Sequence, residues 1–308
     1  MKRAIVIGAN GQDGFFLSEL LESKKYEVIK IDHDFYVMGE IPSIPIDIAD
    51  PEQIQELVHT IQPNELYYLA ARHQSAQDKY SEDLELYRES IEINEISLFH
   101  CLSAISAFSP KTKLFYAASS LVFGDPPYEI QDEETPINPS SIYGITKASG
   151  MFLCRKFRKE HGIFTTCGIL YNHESLRRGD NFLSRKIVNG VIRATKDPST
   201  VLEIGNLESV VDWGYAPDYV DAMYRMINLD APDDFVVATG KKHTVLDFVS
   251  TAFNAVGLDW KKFVNENRSI VQRKTQPLIG NPSKLINLTG WSPSVTFEEM
   301  ITLLVEQG

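Results

Sequence analysis

Tyr143 and Lys147, four positions apart, are the residues of this chain best suited to chemistry. On a helix this spacing puts the phenol and the ammonium group on one face, about one turn apart. A nearby ammonium group lowers the pKa of a phenol, because it favours the charged phenolate. Such a phenol could take a proton from a sugar hydroxyl while a nicotinamide takes the hydride, and an upstream serine pair, Ser119 and Ser120, could complete the site.

The same spacing is common on amphipathic helices, so its meaning depends on a matching cofactor site. An apolar run at 3–7 predicts a buried strand, and the segment 15–22 predicts an amphipathic helix. Glycines in the loop between them permit a tight turn, close approach to a diphosphate and close helix–strand packing, and the helix N-terminus offers free N–H groups. A plain glycine turn is the alternative, against which the strand–loop–helix context argues. The loop residues that we predict to bind a dinucleotide are Gly8, Gly11, Gln12, Asp13 and Gly14.

An acidic residue indicates which dinucleotide is bound. Asp32 follows a second predicted strand, about 20 residues beyond the loop, where a carboxylate accepts hydrogen bonds from ribose hydroxyls and repels a 2′-phosphate. We therefore predict NAD(H) rather than NADP(H), with a solvated loop acid as the alternative. Asp47 stands where a third strand would end and could contact the adenine amino group, with Ile48 beside it.

Apolar and amphipathic segments alternate along the first half of the chain. This alternation predicts an α/β fold, a Rossmann-type doubly wound parallel sheet with helices on both faces. Beyond Tyr171 the alternation is less regular, which predicts a smaller C-terminal α/β lobe that binds substrate. We expect an NAD-binding domain at 1–170 and this lobe at 171–308, with some segments returning to the first domain. The predicted strands are 3–7, 26–31, 65–69, 113–118 and 165–170, and the helices are 15–22, 51–61, 83–108, 141–161, 247–255 and 297–306.

Ligands of such sheets bind beyond the carboxyl ends of the strands. Leu69, Ala70 and Ala71 come at the end of one predicted strand, and we expect them to contact the cofactor. Ser119 and Ser120 follow the next strand along the chain, so both groups belong to one edge of the sheet.

Composition excludes several other classes of protein. The chain has 308 residues, 43% of them hydrophobic and 23% charged, as in ordinary globular proteins. Its net charge of −12 disfavours nucleic-acid binding. The three cysteines show no paired or metal-ligand spacing and the histidines are scattered, so we expect reduced cysteines and no metal. The sequence has no apolar run of membrane length and no signal-peptide pattern, so we expect a cytoplasmic enzyme without a membrane partner.

Several motifs together resemble the extended short-chain dehydrogenase/reductases, and among them the GDP-mannose 4,6-dehydratases. The resemblance covers nearly the whole chain, and its most specific part is the Asn-His-Glu-Ser segment. The motifs that carry it are Gly8-x-x-Gly11-x-x-Gly14, Asn64 to Ala71, Tyr143-x-x-x-Lys147, Tyr171-Asn172-His173-Glu174-Ser175-Leu176-Arg177-Arg178-Gly179 with Arg185-Lys186-Ile187, Gly205-Asn206-Leu207 with Asp212-Trp213-Gly214, and Gly280-Asn281-Pro282-Ser283-Lys284.

The resemblance implies a GDP-sugar substrate and a symmetric assembly. Asn172 and Lys186 would hold the nucleotide, and Arg273 would meet the diphosphate with its fork of donors. For Arg178 a solvated or intersubunit position is an equal alternative. The family implies a homodimer or homotetramer built through a four-helix bundle, to which the helices at 83–108 and 141–161 would contribute. The substrate residues assigned in this way are Ser120, Asn172, Glu174, Arg178, Lys186 and Arg273.

One departure from the family pattern bears on the reaction. Dehydration at C6 needs a base that removes the C5 proton, and in the dehydratases a glutamate two residues after the catalytic threonine supplies it. Counting back from Gly124 puts Ser119 at the threonine and Leu121 at the glutamate. Leucine cannot move a proton, and loss of general acid–base help commonly costs about 10²–10⁴ in rate. Val211 and Gln276 also depart from the pattern and suggest an altered sugar or diphosphate pocket.

We therefore predict an NAD(H)-dependent oxidoreductase acting at C4 of a GDP-manno-hexose or GDP-manno-heptose, in the biosynthesis of surface-polysaccharide sugars. Tyr143 is the predicted acid/base, Lys147 lowers its pKa and holds the nicotinamide ribose, and Ser119 hydrogen-bonds the C4 oxygen. The alternatives are a GDP-sugar 4,6-dehydratase with a displaced base such as Asp125 or Glu129, a C4 epimerase, and a non-catalytic NAD-binding scaffold.

Overall fold

The computed structural model describes residues 1–32, 46–72, 83–270 and 277–308. Its strands are β1 (Arg3–Ile7), β2 (Glu27–Ile31), β3 (Glu65–Tyr68), β4 (Lys113–Ser119), β5 (Ile130–Gln131), β6 (Thr165–Leu170), β7 (Asn172–Glu174), β8 (Leu202–Ile204), β9 (Val210–Val211), β10 (Trp213–Tyr215), β11 (Asp234–Val237), β12 (His243–Thr244), β13 (Val264–Glu266) and β14 (Ile279–Gly280). Its α-helices are α1 (Gln12–Ser23), α2 (Pro51–Ile61), α3 (Leu84–Ile91), α4 (Ser97–Phe108), α5 (Ile142–His161), α6 (Leu183–Lys196), α7 (Ala216–Ile227), α8 (Val245–Ala255), α9 (Ser283–Thr289) and α10 (Phe297–Gln307).

A parallel sheet forms the centre of the described structure, with six strands in the order β11-β6-β4-β3-β1-β2. Its strands are apolar runs because helices cover both faces; every residue of β6, for example, is buried. Helices α2, α4 and α5 pack on one face through residues such as Ile54, Leu102 and Met151. Helices α1 and α7 pack on the other face through Leu17 and Met223. The predicted doubly wound α/β sheet is confirmed.

The long helix predicted at 83–108 is present as an unbroken helical segment from Leu84 to Phe108, but it is not α-helical throughout. A π-helical turn at Glu92–Ile96 separates α3 from α4. Asn94 lies fully buried within this turn, where its side chain accepts a hydrogen bond from the Arg72 amide (3.0 Å) and donates one to the Thr146 hydroxyl (2.9 Å). The amide of Asn94 therefore fixes the end of β3 against α5, a pairing that periodicity alone could not indicate.

Beyond Tyr171 the chain is more regular than we predicted, since α6, α7 and β11 were not expected. The four residues of β11 pair with β6 and so return to the central sheet. Helices α6, α8 and α10 enclose a separate core around Phe248, Phe253 and Met300. The proposed domain boundary at residue 170 stays a prediction.

No helix in the described ranges combines the length and the apolar character needed to cross a membrane.

Candidate active site

A cleft of about 1450 Å³ opens at the carboxyl ends of the central strands. It brings together most of the residues predicted for the site, namely Gly8, Gly11, Gln12, Asp13, Gly14, Asp32, Asp47, Ile48, Leu69, Ala70, Ala71, Ser119, Ser120, Tyr143, Lys147, Asn172, Glu174 and Arg178. Lys186 lies on α6 and is not among the residues that line the cleft, so its contact with the nucleotide stays a prediction. Arg273 and Gln276 lie outside the described residues.

The catalytic candidates meet where β4 ends and α5 begins. The Ser141 side chain caps α5 by accepting a hydrogen bond from the Gly144 amide (3.1 Å), which fixes Tyr143 in the first turn. Lys147 is 1% exposed, and its Nζ donates to the Ala117 carbonyl (2.8 Å), 5.8 Å from the centre of the Tyr143 ring. The Ser119 hydroxyl hydrogen-bonds the phenol of Tyr143. Serine, phenol and ammonium therefore form one contiguous group on the cleft wall.

The electrostatic role of Lys147 stays a prediction, and a second cation also acts on Tyr143. Burial against the cleft wall raises the pKa of the Tyr143 phenol, whereas the positive charge of Arg178 and the hydrogen bond from Ser119 lower it. Burial also lowers the pKa of Lys147 to about 7. Arg178 is thus a cation of the cleft that favours the phenolate.

The glycine loop has the shape that close approach of a ligand requires. Gly8 has φ +88°, and a Cβ there would lie 2.8 Å from the Ala70 amide nitrogen. A Cβ on Gly14 would lie 2.1 Å from the Gly8 carbonyl oxygen. Helix α1 starts at Gly11 without a side-chain cap, so its first N–H groups are free to bind an anion. The loop therefore fits a dinucleotide diphosphate.

The acidic residue predicted to select the dinucleotide lies at the end of β2. The Asp32 carboxylate lines the cleft and accepts a hydrogen bond from the Asn10 amide (2.9 Å), which holds it beside the glycine loop. Asp47 also lines the cleft, and its side chain accepts a hydrogen bond from the Ala49 amide (2.9 Å). Backbone amides therefore hold both carboxylates at the wall of the cleft.

The opposite wall of the cleft is polar and carries a buried cation. Glu174 is 3% exposed and accepts a hydrogen bond from Ser184, and Arg178 Nε lies 3.5 Å from its carboxylate. The Arg178 guanidinium also stacks on Phe182, 3.7 Å from the ring centre, and its buried Nε has no hydrogen-bond partner. The cleft therefore contains a guanidinium whose charge is paired with Glu174.

Leu121 lines the cleft two residues after Ser119. The two acids considered as displaced bases, Asp125 and Glu129, are exposed and do not line the cleft. Glu129 forms an ion pair with Lys242. The acids among the described lining residues are Asp13, Asp32, Asp47, Glu89, Glu92 and Glu174.

Sequence reasoning missed several residues of the cleft. Arg72 and Glu89 both line it and form an ion pair (2.7 Å). Arg72 directly follows Ala71 at the end of β3, where the strand-end rule does predict chemistry, so of this pair only Glu89 was missed. Asn206 and Ser209 line the cleft from the C-terminal lobe. The sequence indicated this region only through the Gly205-Asn206-Leu207 motif of the family resemblance.

Comparison with known proteins places the chain in a family. A family model described as GDP-mannose 4,6 dehydratase matches residues 5–304. The chain belongs to this family. It is 33% identical to GDP-mannose 4,6 dehydratase 2 of Arabidopsis thaliana over 328 residues, covering 99% of this chain and 86% of that protein. It is 30% identical to the GDP-mannose 4,6-dehydratase of Yersinia enterocolitica, covering 99% and 93%.

Solved structures support the fold of this GDP-mannose 4,6 dehydratase family member. The dTDP-glucose 4,6-dehydratase of Bacillus anthracis, in complex with NAD, matches with TM-score 0.84 at 19% identity, covering 99% of this chain and 96% of that one. A UDP-glucose 4-epimerase of Thermotoga maritima matches with TM-score 0.84 at 21% identity, covering 99% and 97%. At such identities the likeness shows the fold, and the predicted nucleotide-sugar enzyme family is confirmed by the family match. The names of the relatives favour the 4,6-dehydratase alternative over an enzyme that acts only at C4.

Proposed function

We propose that this protein oxidises or reduces C4 of a GDP-sugar with NAD(H), and that Tyr143 is its acid/base. The observation that carries this proposal is the wall of the cleft around Ser119, which holds a complete proton-transfer group and, at the position expected for the dehydratase base, Leu121. The cleft therefore contains the protein groups that hydride transfer at C4 requires. The base that elimination requires is missing from the expected position.

The glycine loop, Asp32 and Lys147 are the residues that would hold NAD, and Asp47 with Ile48 would contact its adenine. When bound, NAD supplies the acceptor or donor of the hydride at C4. The Asp32 carboxylate supports NAD over NADP because it would repel a 2′-phosphate. Solved structures of the same fold include complexes with NAD and one with NADPH.

Proton transfer at the C4 oxygen follows from the chain's own residues. In the oxidation direction the Tyr143 oxygen takes the hydroxyl proton, and Ser119 donates a hydrogen bond to the same sugar oxygen. Arg178 stabilises the phenolate, since its charge lowers the pKa that burial has raised. The reverse sequence reduces a 4-ketone, so one set of groups serves both directions.

A GDP-sugar 4,6-dehydratase is the second candidate, and the names of the relatives support it more strongly than the reaction that ends at C4. It shares the first step, oxidation at C4. It then requires a carboxylate to remove the C5 proton, and this base would have to be one of the other cleft acids, because Leu121 cannot serve.

Product mass separates these functions. Purified protein is incubated with NAD and GDP-mannose or a GDP-manno-heptose, and separately with NADH and the corresponding 4-keto sugar; absorbance at 340 nm and nucleotide-sugar mass are followed. The proposal expects a product lighter by two hydrogens, with one NADH formed for each. A product lighter by one water contradicts it in favour of the dehydratase. A product of unchanged mass and altered configuration at C4 would identify an epimerase.

We also propose that two copies associate through α3, α4 and α5. These helices and the π-helical turn between α3 and α4 expose apolar side chains to solvent, among them Tyr87 (41% exposed), Ile96 (45%), Phe99 (44%), Ile145 (45%) and Phe152 (53%). Such a set on adjacent helices is typical of a covered surface, and a second copy would bury it in a four-helix bundle.

Replacing Phe152 with aspartate is expected to weaken self-association about ten-fold or more, because a charge would be buried between the copies. Leu288→Asp is the matched control, since Leu288 on α9 is 57% exposed and lies outside this surface. Sedimentation of both variants and the wild type measures the effect. A monomeric wild type, or equal dissociation constants for both variants, would contradict the proposed surface.

A further inference from the structure

His173 lies between the predicted cofactor-binding residues of the cleft and its predicted substrate-binding residues. It lies 7% exposed in the middle of β7, and its Nε2 is 2.9 and 3.0 Å from the two oxygens of Asp13 in the first turn of α1. Its Nδ1 is 2.7 Å from the Tyr171 carbonyl oxygen. Its ring stacks on Tyr219 of α7, with centroids 4.4 Å apart. The imidazole is thus held on every side.

Both ring nitrogens of His173 face acceptors. A backbone carbonyl can only accept, and an ionised carboxylate can only accept. A neutral imidazole has one N–H, so one of its nitrogens would present a lone pair to another acceptor. The imidazolium form alone satisfies both contacts, and its bond to Asp13 is charge-assisted.

The charges around His173 agree with this assignment. Asp13 on α1 favours the imidazolium, Arg178 after β7 opposes it, and Tyr219 on α7 presents a buried phenol ring. Burial lowers the pKa of His173, but the charge and hydrogen bonds of Asp13, with the Tyr171 carbonyl, raise it above the ordinary value. Charge on the imidazolium is therefore lost only as the pH rises through this raised pKa.

Gln12 makes a second set of bonds across the same junction. Its side chain donates to the His173 carbonyl oxygen (3.0 Å) and accepts from the Ser175 hydroxyl (2.8 Å). The first turn of α1, which includes the loop glycine Gly14, is therefore fastened to β7 at two points. Asp13 would otherwise place an uncompensated negative charge beside the N-terminus where a diphosphate would bind.

We propose that Asp13 and protonated His173 act as positioning residues, which fasten the glycine loop to β7 and cancel the negative charge of Asp13 beside the cofactor diphosphate. The inference rests on the proposed function in that the cleft is taken to bind NAD. When His173 loses a proton, one of its ring nitrogens faces an acceptor without a hydrogen to donate. The positive charge that balances Asp13 is lost at the same time. Cofactor affinity then falls with rising pH.

The first test measures protonation directly and needs no ligand. Protein labelled with ¹⁵N-histidine is titrated from pH 6 to 9.5 by NMR, and the His173 signals are identified by their loss in His173→Gln. We expect both ring nitrogens to be protonated at pH 7. Asp13→Asn keeps an acceptor but removes the charge, so the His173 transition should move to lower pH. A neutral His173 ring at pH 7 would overturn the proposal.

The second test measures the dissociation constant of NAD across the same pH range by calorimetry. Wild type is expected to lose affinity about ten-fold as His173 deprotonates, the size of one charge-assisted hydrogen bond. His173→Gln should bind about ten-fold more weakly at low pH and lack this step, keeping only ionisations shared with wild type such as that of Lys147. His59→Gln, an exposed histidine on α2, is the control and should follow wild type.

The outcomes separate this inference from the proposed function. If wild type and His173→Gln bind NAD with the same pH profile, the positioning role is overturned while NAD binding stands. If wild type binds no NAD at any pH, the proposed function fails, and with it the link between His173 and the cofactor. Thermal unfolding of each variant shows whether a loss of affinity reflects a loss of fold.

Discussion

Replacing Tyr143 with phenylalanine is expected to lower kcat about 10²–10⁴-fold while NAD and GDP-sugar affinities change little. The substitution removes only the phenolic oxygen, which receives the hydrogen bond of Ser119 and stands in the cleft as the group for proton exchange. The ring, the start of α5 and the Lys147 bond to the Ala117 carbonyl are kept. Steady-state rates with separately measured dissociation constants check the result.

Two further substitutions sharpen this test. Ser119→Ala removes one hydrogen bond to the reacting oxygen and should lower kcat by a smaller factor, about ten-fold. Tyr128→Phe is the matched control, because Tyr128 is 63% exposed and does not line the cleft, so its rate should equal that of wild type. If Tyr143→Phe retained the wild-type rate, the role of this phenol as the acid/base would be overturned.

The parts of the fold that were predicted correctly depend on neighbours in sequence. The strand at 3–7 and the helix at 51–61 match β1 and α2 residue for residue, because an apolar run and an amphipathic repeat with an Asp50 cap are local signals. The cleft was found for a related reason: parallel strands end at one edge, so residues after each strand had to meet there.

The parts that were missed depend on contacts between distant residues. Asp13 and His173 are 160 positions apart, and nothing local marks them as partners. The charge of Arg178 acts on the Tyr143 phenol from 35 positions further along the chain, and no spacing rule marks that pair. Strand β11 is four residues long and is recognisable only by its place beside β6.

Replacing Leu121 with glutamate is expected to create or accelerate loss of water from the oxidised GDP-sugar by about 10² or more. Leu121 lines the cleft two residues after Ser119 and is half-buried. A carboxylate at a partly buried position has a raised pKa and is a stronger base than one in water. Once C4 is a ketone, the C5 proton is acidic, so such a base can remove it and pass it to the C6 hydroxyl, which leaves as water. The hydride taken from C4 then returns to C6 and a proton to C5, so the final product is one water lighter than the starting GDP-sugar.

Leu121→Gln is the control that isolates this effect, because an amide has nearly the same shape as the carboxylate and cannot take the proton. Mass spectra of the product should show loss of water with the glutamate variant and loss of two hydrogens alone with the glutamine variant and wild type. Loss of water by wild type and by Leu121→Gln at equal rates would mean that another cleft acid, such as Glu92 or Glu174, is the base. The protein would then be a dehydratase whose elimination does not depend on position 121, as the names of its relatives favour.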